Sequence, residues 1–339
     1  MRYVTFSRNV FIPVTNVCRN ACAYCVYRAR SPDAAYLVRK ADFFALVNRT
    51  KLEATEALFT AGEKPELANP GFFTWLHNAT GCSTLVEYTK ELCKLAITHG
   101  LLPHCNLGVL SADELEALRD VNASMGLMLE TTAELDAHKN SPGKVPEERL
   151  KMIAEAGKLK IPFTTGLLIG IGETPEDRIR SLEAIKSLHE IYGHIQEVII
   201  QPFVPKPFTQ MANTGSPSFE ALKEAVRAAR RILPAEIAIQ VPPNLTSPRE
   251  LIELGASDLG GISERTIDYI NPESPWPRED ELRQLVYPFL LRERLPIYPG
   301  FIKKGWYSEE IRPLIERYAG EDGLRRIHNF IKDVEFGHT

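Results

Sequence analysis

Cys18-Arg-Asn-Ala-Cys22-Ala-Tyr24-Cys25 follows an apolar, strand-like stretch at residues 10–14. Three thiols fall within eight residues, separated by three and then two positions, and no fourth cysteine follows nearby. Thiolates spaced this closely are how a chain wraps an iron–sulfur cluster. Four protein ligands would close a cubane, whereas three leave one iron open to a ligand that is not protein. The pattern therefore predicts a cluster used for chemistry rather than only for passing electrons. A structural zinc site would need four ligands, usually in paired knuckles. Cys82, Cys93 and Cys105 stand alone, and neither His77 nor His104 completes a second knuckle with them. An odd-numbered cluster in a chain with no mark of secretion also argues against disulfides.

The surrounding chain has 339 residues, 44% of them hydrophobic and 25% charged, with a formal net charge of -4. That is the composition of a globular protein with ample core. The near-neutral balance predicts no nucleic-acid or membrane surface. The first residues lack the apolar run of a signal peptide, and the most apolar stretch, 163–172, is too short to span a bilayer. A reducing, cytoplasmic setting is the expectation, and it suits cysteine-bound iron.

Outward from the cysteines, short apolar runs alternate with amphipathic segments. Strands are predicted at 10–14, 56–60, 102–110, 126–130, 163–169, 197–201, 237–241 and 258–262. Between them, Thr84-Leu-Val-Glu87 and Ser111-Ala-Asp-Glu114 carry helix-start signals, and Thr174-Pro175 opens a helix that Gly193 closes. Phe219, Leu222, Val226, Ala229 and Leu233 form one helical stripe. Strictly alternating strands and helices imply a parallel sheet, and this many units without a linker favour an α/β chain folded as a (β/α)8 TIM-type barrel. A single domain over 1–339 is expected, with helices from about residue 278 packing on or closing the barrel. Chemistry in such a barrel sits on loops after the strands, where the cysteines lie.

Three features in order resemble the radical S-adenosylmethionine superfamily: the CxxxCxxC loop with Tyr24, the Gly62-Glu63 pair after the second strand, and the Gly166-to-Thr174 segment at the fifth. Ala61 stands where that family's usual pattern has a further glycine. The resemblance implies a 4Fe-4S cluster on Cys18, Cys22 and Cys25, with S-adenosyl-L-methionine on the open iron. It further implies cofactor contacts from Tyr24, Gly62, Glu63, Glu130, Arg149, Gly166, Ile169 and Gly170. Glu63 would receive the methionine ammonium and Arg149 its carboxylate, for which a planar guanidinium is suited. From the residues alone, Glu63 reads rather as a strand-end turn with an exposed carboxylate, until its position after the second strand is counted, while Glu130 reads equally as a solvated strand tip and Arg149 as a surface residue. The glycine-rich segment lacks dinucleotide-loop spacing.

Phrases at residues 11–20, 61–66, 161–174, 194–201, 260–263 and 271–277 resemble more narrowly the deazaflavin-forming synthases of that superfamily. That resemblance implies a carbon–nitrogen lyase of coenzyme F-420 precursor biosynthesis. A partner radical enzyme joins tyrosine to a ribitylated diaminouracil, and this chain would abstract hydrogen from the adduct, which cyclises and loses ammonia. Reduced ferredoxin or flavodoxin would supply electrons. Substrate contacts are expected from His104, Asn106, Gln201, Gly261, Ser263 and Asn271; Pro202 stands where the family favours asparagine. The competing enzyme readings are the tyrosine-coupling partner itself, a menaquinone-pathway enzyme and a biotin-synthase-like protein. A noncatalytic iron–sulfur or zinc protein is the competing reading outside enzymes.

Overall fold

A strand covered on both faces must be apolar throughout, and Phe163–Ile169 is buried at every position. Such strands organise the chain in the computed structural model, which describes residues 3–50 and 54–326. In order they are β1 (Tyr3–Thr15), β2 (Glu56–Ala61), β3 (Leu102–Asn106), β4 (Ser124–Gly126), β5 (Phe163–Ile169), β6 (Ile195–Pro202), β7 (Ala238–Gln240), β8 (Asp258–Ile262) and β9 (Leu290–Glu293). Each of β1 to β7 pairs in parallel with the next, and β8 pairs with β1, so the eight close into a barrel with helices between strands. This is the (β/α)8 architecture that the alternation predicts.

The helix starts carry their caps. Thr84 Oγ1 accepts from the Glu87 amide, and Ser111 with Glu114 and Thr174 with Asp177 form reciprocal capping boxes. Phe219–Ile232 buries Leu222, Ala225, Val226 and Ala229 along the anticipated stripe.

Four details differ from the sequence-based expectation. β1 begins seven residues earlier than predicted, at Tyr3 rather than Val10. The fourth strand is regular only over Ser124–Gly126, because the Leu129 amide donates to the Thr165 hydroxyl rather than to a carbonyl and Glu130 turns to φ 66°. Helices Lys40–Thr50 and Phe72–Thr80 carry no start signal in the sequence, and the latter begins at Gly71 without a side-chain N-cap bond. The four-residue β9 is too short for alternation to reveal.

β9 lies along Tyr3–Phe6, on the edge of β1 that β2 occupies further on from Asn9. The chain after it caps the N-terminal end of the barrel. Leu295, Ile297, Phe301, Ile311, Leu314 and Ile315 cluster there with Leu102 and Ala123, at the starts of β3 and β4. Arg294 enters the barrel interior, where it forks onto both oxygens of Asp258 (2.7 and 2.9 Å) and reaches Glu197 Oε1 at 3.1 Å. Tyr298 donates to the same Glu197 oxygen at 3.0 Å and lies under the guanidinium. Among the described residues no helix is long and apolar enough to cross a membrane.

His194, at the foot of β6, is fully buried, and its Nε2 bonds the Ile153 carbonyl at 2.9 Å. Burial lowers its pKa to about 4. Below the ordinary histidine value of about 6.5 the unfolded chain binds a proton that the folded chain refuses, so stability falls as pH drops from about 6.5 to about 4. Replacing His194 with Gln is expected to remove up to about 1.4 kcal/mol per pH unit from that slope. Urea unfolding of both proteins between pH 7 and 5 measures it; parallel slopes would refute the assignment.

Candidate active site

The cysteine loop leaves the C-terminal end of β1 and is held in place largely by backbone hydrogen bonds. The Asn16 side chain bonds the Ala34 carbonyl and the Tyr36 amide, both at 2.9 Å, pinning both ends of the loop. The Arg19 amide donates to the Glu63 carbonyl at 2.9 Å, tying the loop to the end of β2. The Ala21 and Ala23 amides donate to the carbonyls of Asn140 and Ala137, and Asn20 Oδ1 accepts from the Gly143 amide at 2.8 Å. Three strand ends therefore fix one loop.

Gly62 makes that tie possible. A Cβ there would lie 2.1 Å from the Val17 carbonyl oxygen, so the glycine allows β2 to approach the cysteine loop. The close approach it permits is thus to the protein's own backbone.

Cys18, Cys22 and Cys25 are half-buried free thiols lining one cavity of about 330 Å³ at the C-terminal mouth of the barrel. Cys18 Sγ accepts from the Glu63 amide at 3.2 Å and the Asn20 amide at 3.4 Å; Cys22 Sγ accepts from the Ser141 hydroxyl at 3.4 Å. Burial pushes the Cys18 and Cys25 thiols up, so their thiolates need a cationic metal centre close by. Among the described residues no three His, Cys, Asp or Glu side chains converge as ligands of a single ion do. A cubane instead takes each thiolate on a separate iron, which fits thiols that share a cavity without meeting at a point.

Beside the thiols lie two carboxylate clusters. Glu63, 3% exposed, accepts from Arg19 at 2.8 Å and from the Val109 amide at 3.0 Å, and Arg149 stands 3.8 Å away. Arg149 is itself buried, donating to the carbonyls of Gly143 (2.8 Å) and Met128. Glu130 pairs with Lys144. Burial raises its pKa, but Lys144 and Arg149 outweigh burial and hold the carboxyl below its ordinary value. Tyr24 covers this group: its hydroxyl meets His138 Nε2 at 3.0 Å and Lys144 lies over its ring. Neither Glu130 nor Arg149 is the surface residue that each could have been from sequence alone.

The remaining predicted residues divide. Asn106, Gln201 and Asn271 line the same cavity, as do Tyr24, Gly62, Glu63, Glu130 and Arg149. Ile169 does not: its side chain belongs to the main hydrophobic core, and alternation puts Leu168 at the cavity instead. Gly166 lies inside β5, its carbonyl accepting from the Glu130 amide at 2.9 Å. The Gly170 amide is turned to Glu173 at 2.8 Å, so that loop folds around its own carboxylate. His104 sits deeper in the barrel with Nδ1 on Ser124 at 2.7 Å, its pKa lowered to about 3 by burial and then by Arg294. Gly261 abuts the Asn9 side chain, and Ser263 bonds Thr266. These last three do not reach the cavity.

Sequence reasoning missed Arg19, Lys144, Gly143 and Lys206. Arg19 and Lys144 gave no motif signal because their partners lie 44 and 14 residues away. Lys206, which also lines the cavity, belongs to no motif in the sequence.

Comparison with known proteins agrees with this geometry. Residues 12–185 match the model of the radical SAM superfamily. A protein from Methanococcoides burtonii named 7,8-didemethyl-8-hydroxy-5-deazariboflavin synthase is 56% identical, covering 96% of this chain and 98% of its own length. An Archaeoglobus fulgidus protein of the same name is 52% identical over 96% of this chain and 100% of its own. Among solved structures, methylornithine synthase superposes with a TM-score of 0.59 at 17% identity, covering 84% of this chain and 86% of its own. The FeFe-hydrogenase maturase HydG from Carboxydothermus hydrogenoformans gives 0.59 at 20% identity, covering 87% and 68%. These two likenesses speak to the fold alone.

Proposed function

The chain belongs to the radical SAM superfamily and, within it, to the family of the 7,8-didemethyl-8-hydroxy-5-deazariboflavin synthases, and from that premise we propose that it performs the deazaflavin-forming step. Its substrate is the tyrosine-derived 5-amino-5-(4-hydroxybenzyl)-6-(D-ribitylimino)-5,6-dihydrouracil adduct, converted to 7,8-didemethyl-8-hydroxy-5-deazariboflavin with loss of ammonia. This makes it a carbon–nitrogen lyase. A separate radical enzyme supplies the adduct, and reduced ferredoxin or flavodoxin supplies the electron. Identity above half over nearly the whole chain favours this over the menaquinone-pathway and biotin-synthase-like readings.

One observation carries the reading: three thiols with no fourth face the same cavity as the Glu63–Arg149 and Glu130–Lys144 pairs. When bound, a 4Fe-4S cluster together with S-adenosylmethionine would supply one-electron, radical-generating chemistry. Cys18, Cys22 and Cys25 would hold that cluster, and the Glu63 and Asn20 amides and the Ser141 hydroxyl would stabilise the sulfur charge. Glu63 and Glu130 suit the cofactor's ammonium, and Arg149 and Lys144 its carboxylate. Tyr24, Phe203 and Leu168 add apolar surface to the cavity lining.

Anaerobic reconstitution with iron and sulfide, then dithionite and S-adenosylmethionine, is expected to release 5′-deoxyadenosine. Adding the adduct is expected to give a fluorescent deazaflavin. An intact cluster that cleaves no cofactor would overturn the radical reading; cleavage without the fluorescent product would point to another substrate.

Gly143 gives a narrower test. A Cβ there would lie 1.5 Å from Glu63 Oε1, so Gly143→Ala must displace the Glu63 carboxylate. At least about a tenfold loss of S-adenosylmethionine affinity is expected, worth about 1.4 kcal/mol, with iron content retained. Calorimetric titration of the reconstituted variant measures it.

A further inference from the structure

Lys206 lies in the loop after β6, lines the catalytic cavity and is only 5% exposed. A buried ammonium is costly unless partnered, and this one is held on two sides. Its Nζ donates to Asn271 Oδ1 at 2.9 Å and pairs with Glu273. Asn271 is itself oriented, because its Nδ2 donates to Asp268 Oδ2 at 3.0 Å, which leaves only its oxygen for Lys206. Asp268 is fixed in turn by the Ile270 and Asn271 amides and by Asn244 Nδ2. The bonds of Lys206 thus run to the loop after β8, away from the cysteine loop. An ammonium has three donors; Asn271 and Glu273 take two, and the third remains for the cavity that Lys206 lines.

Resting on the deazaflavin-forming reading, we propose that Lys206 is the specificity-determining binding residue for the substrate's pyrimidinedione, donating to a ring carbonyl oxygen. The charge pattern decides which end of the substrate it meets. An ammonium donates to a carbonyl oxygen and repels an amine only when that amine is protonated. The carboxamides of Asn106 and Gln201 line the same cavity, and each offers a donor and an acceptor, the complement of an imide edge. Lys206 is held by a network already complete without the ligand, so its direction is set before binding. A site built to bond a polar edge rejects analogues lacking that edge, because its own buried donor is then left unpaired.

The test compares Lys206→Met, Lys206→Arg and Glu273→Gln in the reconstituted full chain. For Lys206→Met, at least about a tenfold rise in KM for the adduct is expected. The same loss is expected in affinity for the ribitylated diaminouracil, used as a stable probe of the dione edge. Lys206→Arg recovers part of the KM. Glu273→Gln, which alters the half-exposed partner while Asn271 still holds the ammonium, raises KM less than Lys206→Met does. An unchanged KM in Lys206→Met overturns the proposal, as does a KM rise in Glu273→Gln equal to that in Lys206→Met, which would mark Lys206 as a loop clamp. A parent protein that makes no deazaflavin would instead overturn the function on which the proposal rests.

Discussion

Replacing Cys22 with alanine is expected to reduce both 5′-deoxyadenosine release and deazaflavin formation by at least about 10³-fold, the scale on which loss of a catalytic group is felt. Cys22 is the central thiol of the three, and its sulfur already accepts from Ser141 in the loop after the fourth strand. Removing it leaves two thiols, and nothing nearby substitutes: among the described residues the other cysteines, Cys82, Cys93 and Cys105, are buried in the main hydrophobic core. The fold should survive, since the loop is pinned by Asn16, Asn20 and backbone bonds rather than by the thiol. Iron analysis after reconstitution, paired with circular dichroism, separates the two effects. A variant that keeps full iron and cleaves S-adenosylmethionine at the parent rate would remove Cys22 from the cluster.

Arg294→Met is expected to cost about 3–5 kcal/mol of stability, the range for breaking a buried ion pair from one side. The guanidinium is buried and forks onto Asp258 while bonding Glu197. Without it, those carboxylates face each other and Glu56 inside the barrel. Burial already raises the Glu197 carboxyl to about 7 and the Glu56 carboxyl above its ordinary value, in each case against the pull of Arg294. Loss of that pull raises both further. A carboxyl whose folded pKa exceeds its unfolded value favours the folded state at low pH and loses that advantage as pH rises through the folded value. The deficit should therefore be larger at pH 8 than near pH 5.5, and Asp258→Asn in the same background should recover part of it. Denaturant unfolding at the two pH values measures this; an equal deficit at both would show that packing against Tyr298, not charge, is what the arginine supplies.

Arg294 was also invisible in the sequence. It is one of three consecutive charged residues, Arg292-Glu293-Arg294, past the last predicted strand, and its partners are 36 and 97 residues away. The strands themselves were legible because burial on both faces imposes unbroken apolar runs, as at Phe163–Ile169. Helix starts were legible where a local side chain satisfies a free amide, as Ser111 and Thr174 do. β4 was displaced because its end depends on the Thr165 hydroxyl, a neighbour in space that no local pattern records.

The candidate site divides the same way. Cys18, Cys22, Cys25, Gly62 and Glu63 line one cavity, and the spacing and strand-end positions that suggested them are local properties. His104, Gly261 and Ser263 were misplaced because depth in a barrel depends on register between strands. His104 stands opposite Leu58 and Ser124, two residues before the strand end at Asn106.

By itself, then, the amino-acid sequence determined the alternating strands and helices, the three-thiol loop and its position after the first strand, since each rests on contacts within a few residues. Only the tertiary structure decided which charges neutralise one another around that loop. Arg19 with Glu63, Lys144 with Glu130 and Lys206 with Glu273 are pairs that only the folded barrel brings within bonding distance. A buried charge is tolerable only where such a partner arrives, and the partner's arrival is a property of the closed barrel.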